Sequence, residues 1–189
     1  ILSKVGSREW HMRKIFLIFP LILFITITIF LYKGLENDPS HLPSALIGKN
    51  LPQFELETLL DREQITDKDI LLDEPFLLNV WATWCYACRL EHAMLNELAT
   101  EGIIIVGLNY KDDRNLANDW LNQRGNPYLF SIFDSNGSLG FDLGVYGAPE
   151  TYLVDRKGVI RHKRVGIVDE HIWLSEFQEL YLSLKGQNE

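Results

Sequence analysis

The chain has 189 residues, 47% of them hydrophobic and 12% aromatic, so it can build an apolar core and is not typical of a disordered polypeptide. Its 2 cysteines are too few for a disulfide-stapled scaffold or a four-thiolate metal site. The formal net charge of −8 argues against a general nucleic-acid binder, which needs a basic footprint.

The charge is divided unevenly along the chain. Residues 1–33 contain five basic residues and one acid, whereas the remainder contains 13 basic and 25 acidic residues. An uncharged, apolar run covers residues 15–32. As a helix it would be about 27 Å long, close to the thickness of a bilayer's hydrocarbon core. Four basic residues precede the run and one follows it, so the positive-inside rule predicts residues 1–14 in the cytoplasm and the following domain outside.

We interpret residues 15–32 as an uncleaved transmembrane anchor. The alternatives are a cleaved signal peptide and a buried core helix. The run is long for a signal-peptide core, and no Ala-x-Ala pattern follows it. Residues 33–45 are polar, contain Pro39 and Pro43, and are predicted to form a tether. Residues 46–185 then remain for one domain.

Apolar runs and helical periodicity predict alternating elements in this domain. The runs are typical of strands buried on both faces, and the alternation implies right-handed crossovers between parallel strands. In chain order the elements are a strand over 76–82, a helix over 86–101, a strand over 103–109, a helix over 113–124 and a strand over 129–133.

The end of the domain follows a different pattern. Strands are predicted over 151–155 and 159–165, joined by the short turn 156–158, which makes an antiparallel hairpin. A final helix is predicted over 169–184, where apolar residues recur at helical spacing. The predicted fold class is α/β, a mixed sheet with helices on both faces, together with one N-terminal transmembrane helix.

The chemistry is concentrated in Cys85 and Cys88, which lie where a buried strand ends and a helix begins. The helix N-terminus stabilises an anion and favours the thiolate of Cys85, and Cys88 lies one turn further along. A zinc site lacks further ligands, and a covalent haem site would need His where Arg89 stands. A purely structural disulfide remains an alternative to the redox pair that we expect.

Several motifs resemble known families. Residues 80–88 resemble the thioredoxin superfamily. Residues 144–151 resemble the signature of the membrane-anchored thiol:disulfide interchange proteins of cytochrome c maturation, the DsbE/CcmG family, and residues 88–92, 107–113 and 125–128 match it too. The resemblance extends from about residue 46 to the last helix, and it implies a thioredoxin-like fold.

The resemblance implies a role for individual residues. Cys85 would be the nucleophile and Cys88 the resolving thiol. Pro149 would be a cis-proline facing the cysteines, the alternative being an ordinary trans turn proline. Ala148 would offer its backbone polar groups to an extended segment of the partner.

Trp84 and Tyr146 would complete the substrate groove, although a packing role for Tyr146 is an alternative. Asn79 stands where thioredoxins carry a buried acid. Glu91 and Glu150 are predicted to compensate as supporting acid/base groups, because a carboxylate raises the pKa of a neighbouring thiol and can relay its proton. The alternative for Glu91 is a solvated position on the helix surface.

The resemblance also implies a function. The protein would be a specific reductant in c-type cytochrome biogenesis, held in the inner membrane with its domain in the periplasm. Its partners would be apocytochrome c, maturation thiol proteins and a membrane thiol reductant that donates electrons. No cofactor, metal or nucleic acid is expected. The alternatives are a general envelope disulfide reductase or oxidase, and a redox-inactive thioredoxin-like binding protein.

Overall fold

The computed structural model describes residues 5–34, with side chains over residues 19–33, and residues 45–186 completely. The chain divides into two compact units, Ile1–Pro39 and Ser40–Glu189. Residues 1–4 of the predicted cytoplasmic segment and 35–44 of the predicted tether lie outside the described residues.

The first unit contains helix α1, Val5–Gly34, which includes Pro20. Two hydroxyl groups on its apolar surface are satisfied internally, since Thr26 and Thr28 each donate to the carbonyl four residues earlier, at 2.8 Å. Within the described residues, no helix is both long enough and apolar enough to cross a membrane. The anchor over residues 15–32 therefore stays a prediction.

The second unit is built on a seven-stranded sheet, counted over residues 45–186, in the order β2-β1-β5-β4-β3-β6-β7. Strands β3, β4 and β5 are parallel neighbours and the other pairs are antiparallel, which confirms the predicted mixed sheet. The strands are β1 Glu55–Thr58, β2 Gln64–Thr66, β3 Phe76–Trp81, β4 Ile105–Tyr110, β5 Ser131–Asp134, β6 Glu150–Val154 and β7 Ile160–Val165.

Helices cover both faces of this sheet unequally. The α2, α3 and C-terminal helices pack on one face, in a core that includes Trp81 and both cysteines. The opposite face packs against the short α4 and loops, around Leu78, Val106 and Tyr152. The helices are α2 Tyr86–Thr100, α3 Arg114–Arg124, α4 Ser138–Asp142, α5 Glu170–Ile172, a π-helical turn Trp173–Phe177 and α6 Gln178–Lys185.

Three details differ from the sequence-based expectations. The β1–β2 hairpin and α4 were not predicted, because elements of three to five residues are too short to show periodicity. The predicted single helix over 169–184 is interrupted by the π-helical turn. Helical periodicity predicts a buried apolar stripe on α2 made of Leu90, Met94, Leu95 and Leu98. Leu90 is instead 56% exposed, whereas Glu91 and His92 are buried.

Candidate active site

The two cysteines lie at the start of α2, just beyond the end of the interior strand β3. Cys85 caps the helix, and its Sγ accepts a hydrogen bond from the backbone N–H of Cys88 at 3.0 Å. The two residues form a disulfide, with their Cα atoms 5.4 Å apart, and are 4% and 2% exposed. The first-turn amides and the helix dipole act directly on Cys85, so its reduced form is stabilised as a thiolate.

Glu91 is buried behind the cysteines, on the face of α2 that packs against the sheet. It is 1% exposed, and its carboxylate accepts hydrogen bonds from Asn79 Nδ2 at 2.9 Å and from the Val168 N–H at 3.0 Å. Burial raises the pKa of Glu91 to about 7, although both hydrogen bonds act in the opposite direction. Glu91 is therefore not a solvated surface residue, and its carboxyl group titrates near neutral pH.

Two further residues complete this buried network. Asn79 Nδ2 also donates to Thr151 Oγ1 at 3.0 Å, and the Tyr128 hydroxyl donates to Asn79 Oδ1 at 2.9 Å. Burial, assisted by the nearby Glu91 charge, raises the pKa of Tyr128 well above its usual value, so its hydroxyl remains a donor. Asn79 stands at the position where thioredoxins carry a buried acid. Its side chain links strand β3 to Glu91, the acid on α2.

The predicted groove segment precedes β6. The Ala148–Pro149 peptide bond is cis. Glu150 pairs with Val80 in the sheet register, which places Pro149 at the edge where β3 ends and the cysteines begin. Ala148 packs against the cluster that contains both cysteines. Among the hydrogen bonds of residues 45–186, none uses the N–H or carbonyl of Ala148, so both groups are available to a partner strand.

Glu150 has different surroundings from Glu91. It is fully buried, and its Oε2 lies 3.0 Å from Lys163 Nζ and 2.9 Å from the Tyr152 hydroxyl. Its Oε1 accepts from the Tyr146 N–H at 2.7 Å. Lys163 also donates to the Gly144 carbonyl at 2.9 Å. These contacts hold the loop before Pro149 in place, and they favour a positioning role for Glu150 over the predicted acid/base role.

The two aromatic side chains of the predicted groove are both exposed. Trp84 is 55% exposed and donates from Nε1 to the Lys111 carbonyl at 3.0 Å. Tyr146 is 73% exposed, and Lys163 Nζ lies 5.0 Å from its ring centroid. Both residues retain the exposure that a partner-binding surface requires, so the predicted groove role remains open to test.

Sequence reasoning assigned no individual role to Tyr128, Lys163 or Asp112, although Asp112 and Tyr128 lie in the matching segments 107–113 and 125–128. Asp112 could have been found, because it follows a parallel strand at the same sheet edge as the cysteines, where functional side chains converge. Lys163 had no local signal, since its burial depends on pairing with Glu150.

Within the described residues, no three His, Cys, Asp or Glu side chains converge as a metal site.

Comparisons with known proteins agree with this geometry. The Redoxin family model matches residues 46–181. The thiol:disulfide interchange protein DsbE of Pseudomonas aeruginosa is 51% identical over 179 residues, which cover 94% of this chain and 99% of that relative. DsbE of Escherichia coli (strain K12) is 50% identical over 175 residues, which cover 89% and 94% respectively.

The fold also matches solved structures. A secreted thiol-disulfide isomerase from Corynebacterium glutamicum superposes with a TM-score of 0.62 at 24% identity, covering 78% of this chain and 95% of that one. The thioredoxin-like fold and the Cys85–Cys88 disulfide define a thiol:disulfide oxidoreductase. Within that class, the chain belongs to the DsbE/CcmG family of the thioredoxin superfamily.

Proposed function

We propose that this oxidoreductase is a specific reductant in c-type cytochrome biogenesis. Its substrate would be a disulfide in apocytochrome c or in a maturation partner, and a membrane thiol reductant would regenerate it. The reducing direction is supported by Glu91, which is buried on the helix that holds the cysteine pair, and the cytochrome role is supported by the resemblance of residues 144–151 to the DsbE/CcmG signature. No cofactor is needed beyond the pair itself.

The reaction begins with the Cys85 thiolate attacking one sulfur of the target disulfide. A mixed disulfide forms and the other target sulfur leaves as a thiolate, which takes up a proton. Cys88 then loses its proton and attacks Cys85 Sγ, which releases the second target thiol. The target gains two electrons and two protons, and the chain keeps the Cys85–Cys88 disulfide.

Glu91 supports this direction of electron flow. Residues three apart on a helix are neighbours, so Glu91 lies next to Cys88 on α2. When ionised, its carboxylate disfavours the thiolates of the reduced pair, which makes the dithiol a stronger reductant. Because its pKa lies near 7, the same group can accept the Cys88 proton during resolution.

The protein would work at the periplasmic side of the inner membrane. The proposal rests on the uncharged run over residues 15–32, with most of its basic flank before it. The acidic remainder of the chain would then be the exported domain, attached by residues 33–45.

Trapping tests the proposal directly. In Cys88→Ser, attack by Cys85 still forms a mixed disulfide but cannot be resolved, so partners should accumulate covalently and be released by dithiothreitol. The matched control is Cys85→Ser, which leaves Cys88 in place and should trap much less. Identification of apocytochrome c or a maturation thiol protein in the trapped material supports the role, and the absence of both contradicts it.

Two alternatives predict other results. A general envelope reductase or oxidase would reduce insulin rapidly, and a deletion strain would keep normal c-type cytochromes. A redox-inactive binding protein would keep its biological activity in Cys85→Ser. The buried, helix-capping position of Cys85 argues against the second alternative, because that position activates a thiol.

A further inference from the structure

The carboxylate of Asp112 lies outside the cysteine motif and holds the segment that precedes the two cysteines. Asp112 follows β4, and its Oδ2 and Oδ1 accept hydrogen bonds from the Thr83 N–H and the Thr83 hydroxyl, both at 2.6 Å. Oδ2 also accepts from Asn109 Nδ2, and Oδ1 from the Asp113 N–H, both at 2.9 Å. One side chain therefore fixes the backbone two residues before the nucleophile.

The neighbouring residue holds the indole of Trp84. Lys111 adopts a left-handed backbone, with φ of 49°, and its carbonyl accepts from Trp84 Nε1 at 3.0 Å. Its own N–H donates to the Asp134 carbonyl at 2.9 Å, which fastens the loop to β5. Trp84 is thus held with 55% of its surface exposed beside Cys85.

We propose that Asp112 is a positioning residue for thiol–disulfide exchange with protein substrates. By fixing Thr83, it keeps Trp84 as a flat apolar surface against which the disulfide-bearing segment of a partner packs while Cys85 attacks. The inference rests on the thiol–disulfide activity alone and does not depend on the role in cytochrome biogenesis.

The geometry distinguishes this role from ordinary loop stabilisation. Each carboxylate oxygen of Asp112 accepts a backbone N–H, one from Thr83 and one from Asp113. In Asp112→Asn, the amide NH₂ must face one of these donors whichever way it is turned, so the isosteric residue cannot keep both bonds. Small disulfides need only the Cys85 sulfur, whereas protein disulfides also need the Trp84 surface.

The test uses the full-length chain in detergent, with Asp112→Asn compared with Asp113→Asn. Asp113 caps α3 through its side chain, and Asn caps equally well, so this control removes the same charge from the same loop without touching Thr83. For Asp112→Asn we expect reduction of an unfolded, disulfide-bonded protein to slow about tenfold. Reduction of 2-hydroxyethyl disulfide should stay within about twofold, because the thiols are unchanged.

Two further readouts test the mechanism. The indole ¹⁵N–H resonance of Trp84, assigned with Trp84→Phe, should shift and exchange faster with D₂O in Asp112→Asn but not in Asp113→Asn. In the Trp84→Phe background, Asp112→Asn should add little further loss with the protein substrate. Thr83→Val, which removes one donor, should show the same effects more weakly.

The proposal is overturned if both disulfides are reduced at equally lowered rates in Asp112→Asn, since the fold or the thiols would then be affected. It is also overturned if the protein substrate is reduced at the wild-type rate, or if Asp113→Asn behaves like Asp112→Asn. Loss confined to the protein substrate and absent from the control supports it.

Discussion

Asn79 Nδ2 lies 2.9 Å from Glu91 Oε1, and this hydrogen bond joins the strand that leads to the cysteines to the helix that carries them. A buried carboxyl group with an amide donor keeps a raised pKa when few positive charges face it. Here desolvation outweighs the two hydrogen bonds, and the pKa rises to about 7. The active site therefore contains an acid that titrates in the physiological range.

Glu91 should make stability depend on pH between about 4.5 and 7. Its pKa is higher in the folded than in the unfolded chain, so the folded chain binds more protons in this interval, and the free energy of unfolding decreases as pH rises. The decrease attributable to Glu91 is about 3 kcal/mol. Glu91→Gln should abolish this component, because a glutamine side chain does not ionise.

Urea unfolding from pH 4 to pH 8 measures this effect. The matched control is Glu97→Gln, which replaces an exposed glutamate on the same helix. In this variant the free energy of unfolding should change with pH as it does in the wild type. Equal slopes in the two variants would show that Glu91 ionises as it does in the unfolded chain.

Exchanging the acid and the amide should preserve the network. Asn79→Asp alone places two carboxylates in contact, so at pH 8 we expect the free energy of unfolding to fall by about 3 kcal/mol. At pH 5, where the two carboxylates share a proton, the decrease should be smaller. In Asn79→Asp/Glu91→Gln, the introduced glutamine donates to the carboxylate at position 79 and accepts from the Val168 N–H. The double variant should recover most of the stability lost at pH 8.

Chemical denaturation of the single and double variants gives the coupling energy. Additive losses in the double variant would contradict the described network, whereas a double variant more stable than Asn79→Asp would support it.

The position of the thiols could be predicted from sequence, because an apolar strand, a CxxC pair and a helical repeat are local signals. The burial of Glu91 could not be predicted in the same way. It depends on Asn79 and on the backbone of Val168, 12 and 77 residues away, and helical periodicity alone favoured the exposed Leu90 as the inward residue. Lys163 is a similar case, because its partner Glu150 is on another strand.

Gly107 should be required for packing and not for backbone conformation. A Cβ there would overlap Ser131 Oγ and lie 2.9 Å from Trp81 Nε1. Gly107→Ala should therefore lower the free energy of unfolding by about 1–3 kcal/mol. Adding Ser131→Ala should return part of the loss, because it removes the nearest atom. Gly147→Ala, where nothing lies within 4 Å, serves as the control in the same urea titration, and an equal effect of both alanines would contradict the packing argument.

Lys163 should stabilise the fold chiefly by neutralising Glu150. The pair is almost completely buried, with side chains 4% and 0% exposed. Lys163→Met leaves an uncompensated buried carboxylate, so the free energy of unfolding should decrease by about 3–5 kcal/mol at pH 7. Lys163→Met/Glu150→Gln removes both charges and should recover much of this loss.

The control is Lys185→Met, which breaks an exposed pair with Glu74 whose side chains are 44% and 41% exposed. Lys185→Met should lower the free energy of unfolding by less than about 1 kcal/mol, because solvent screens exposed charges. Guanidinium would screen both pairs, so urea is the denaturant of choice. If Lys163→Met were no more destabilised than Lys185→Met, the buried pair would contribute no more to the free energy of unfolding than the exposed pair, which would contradict the prediction.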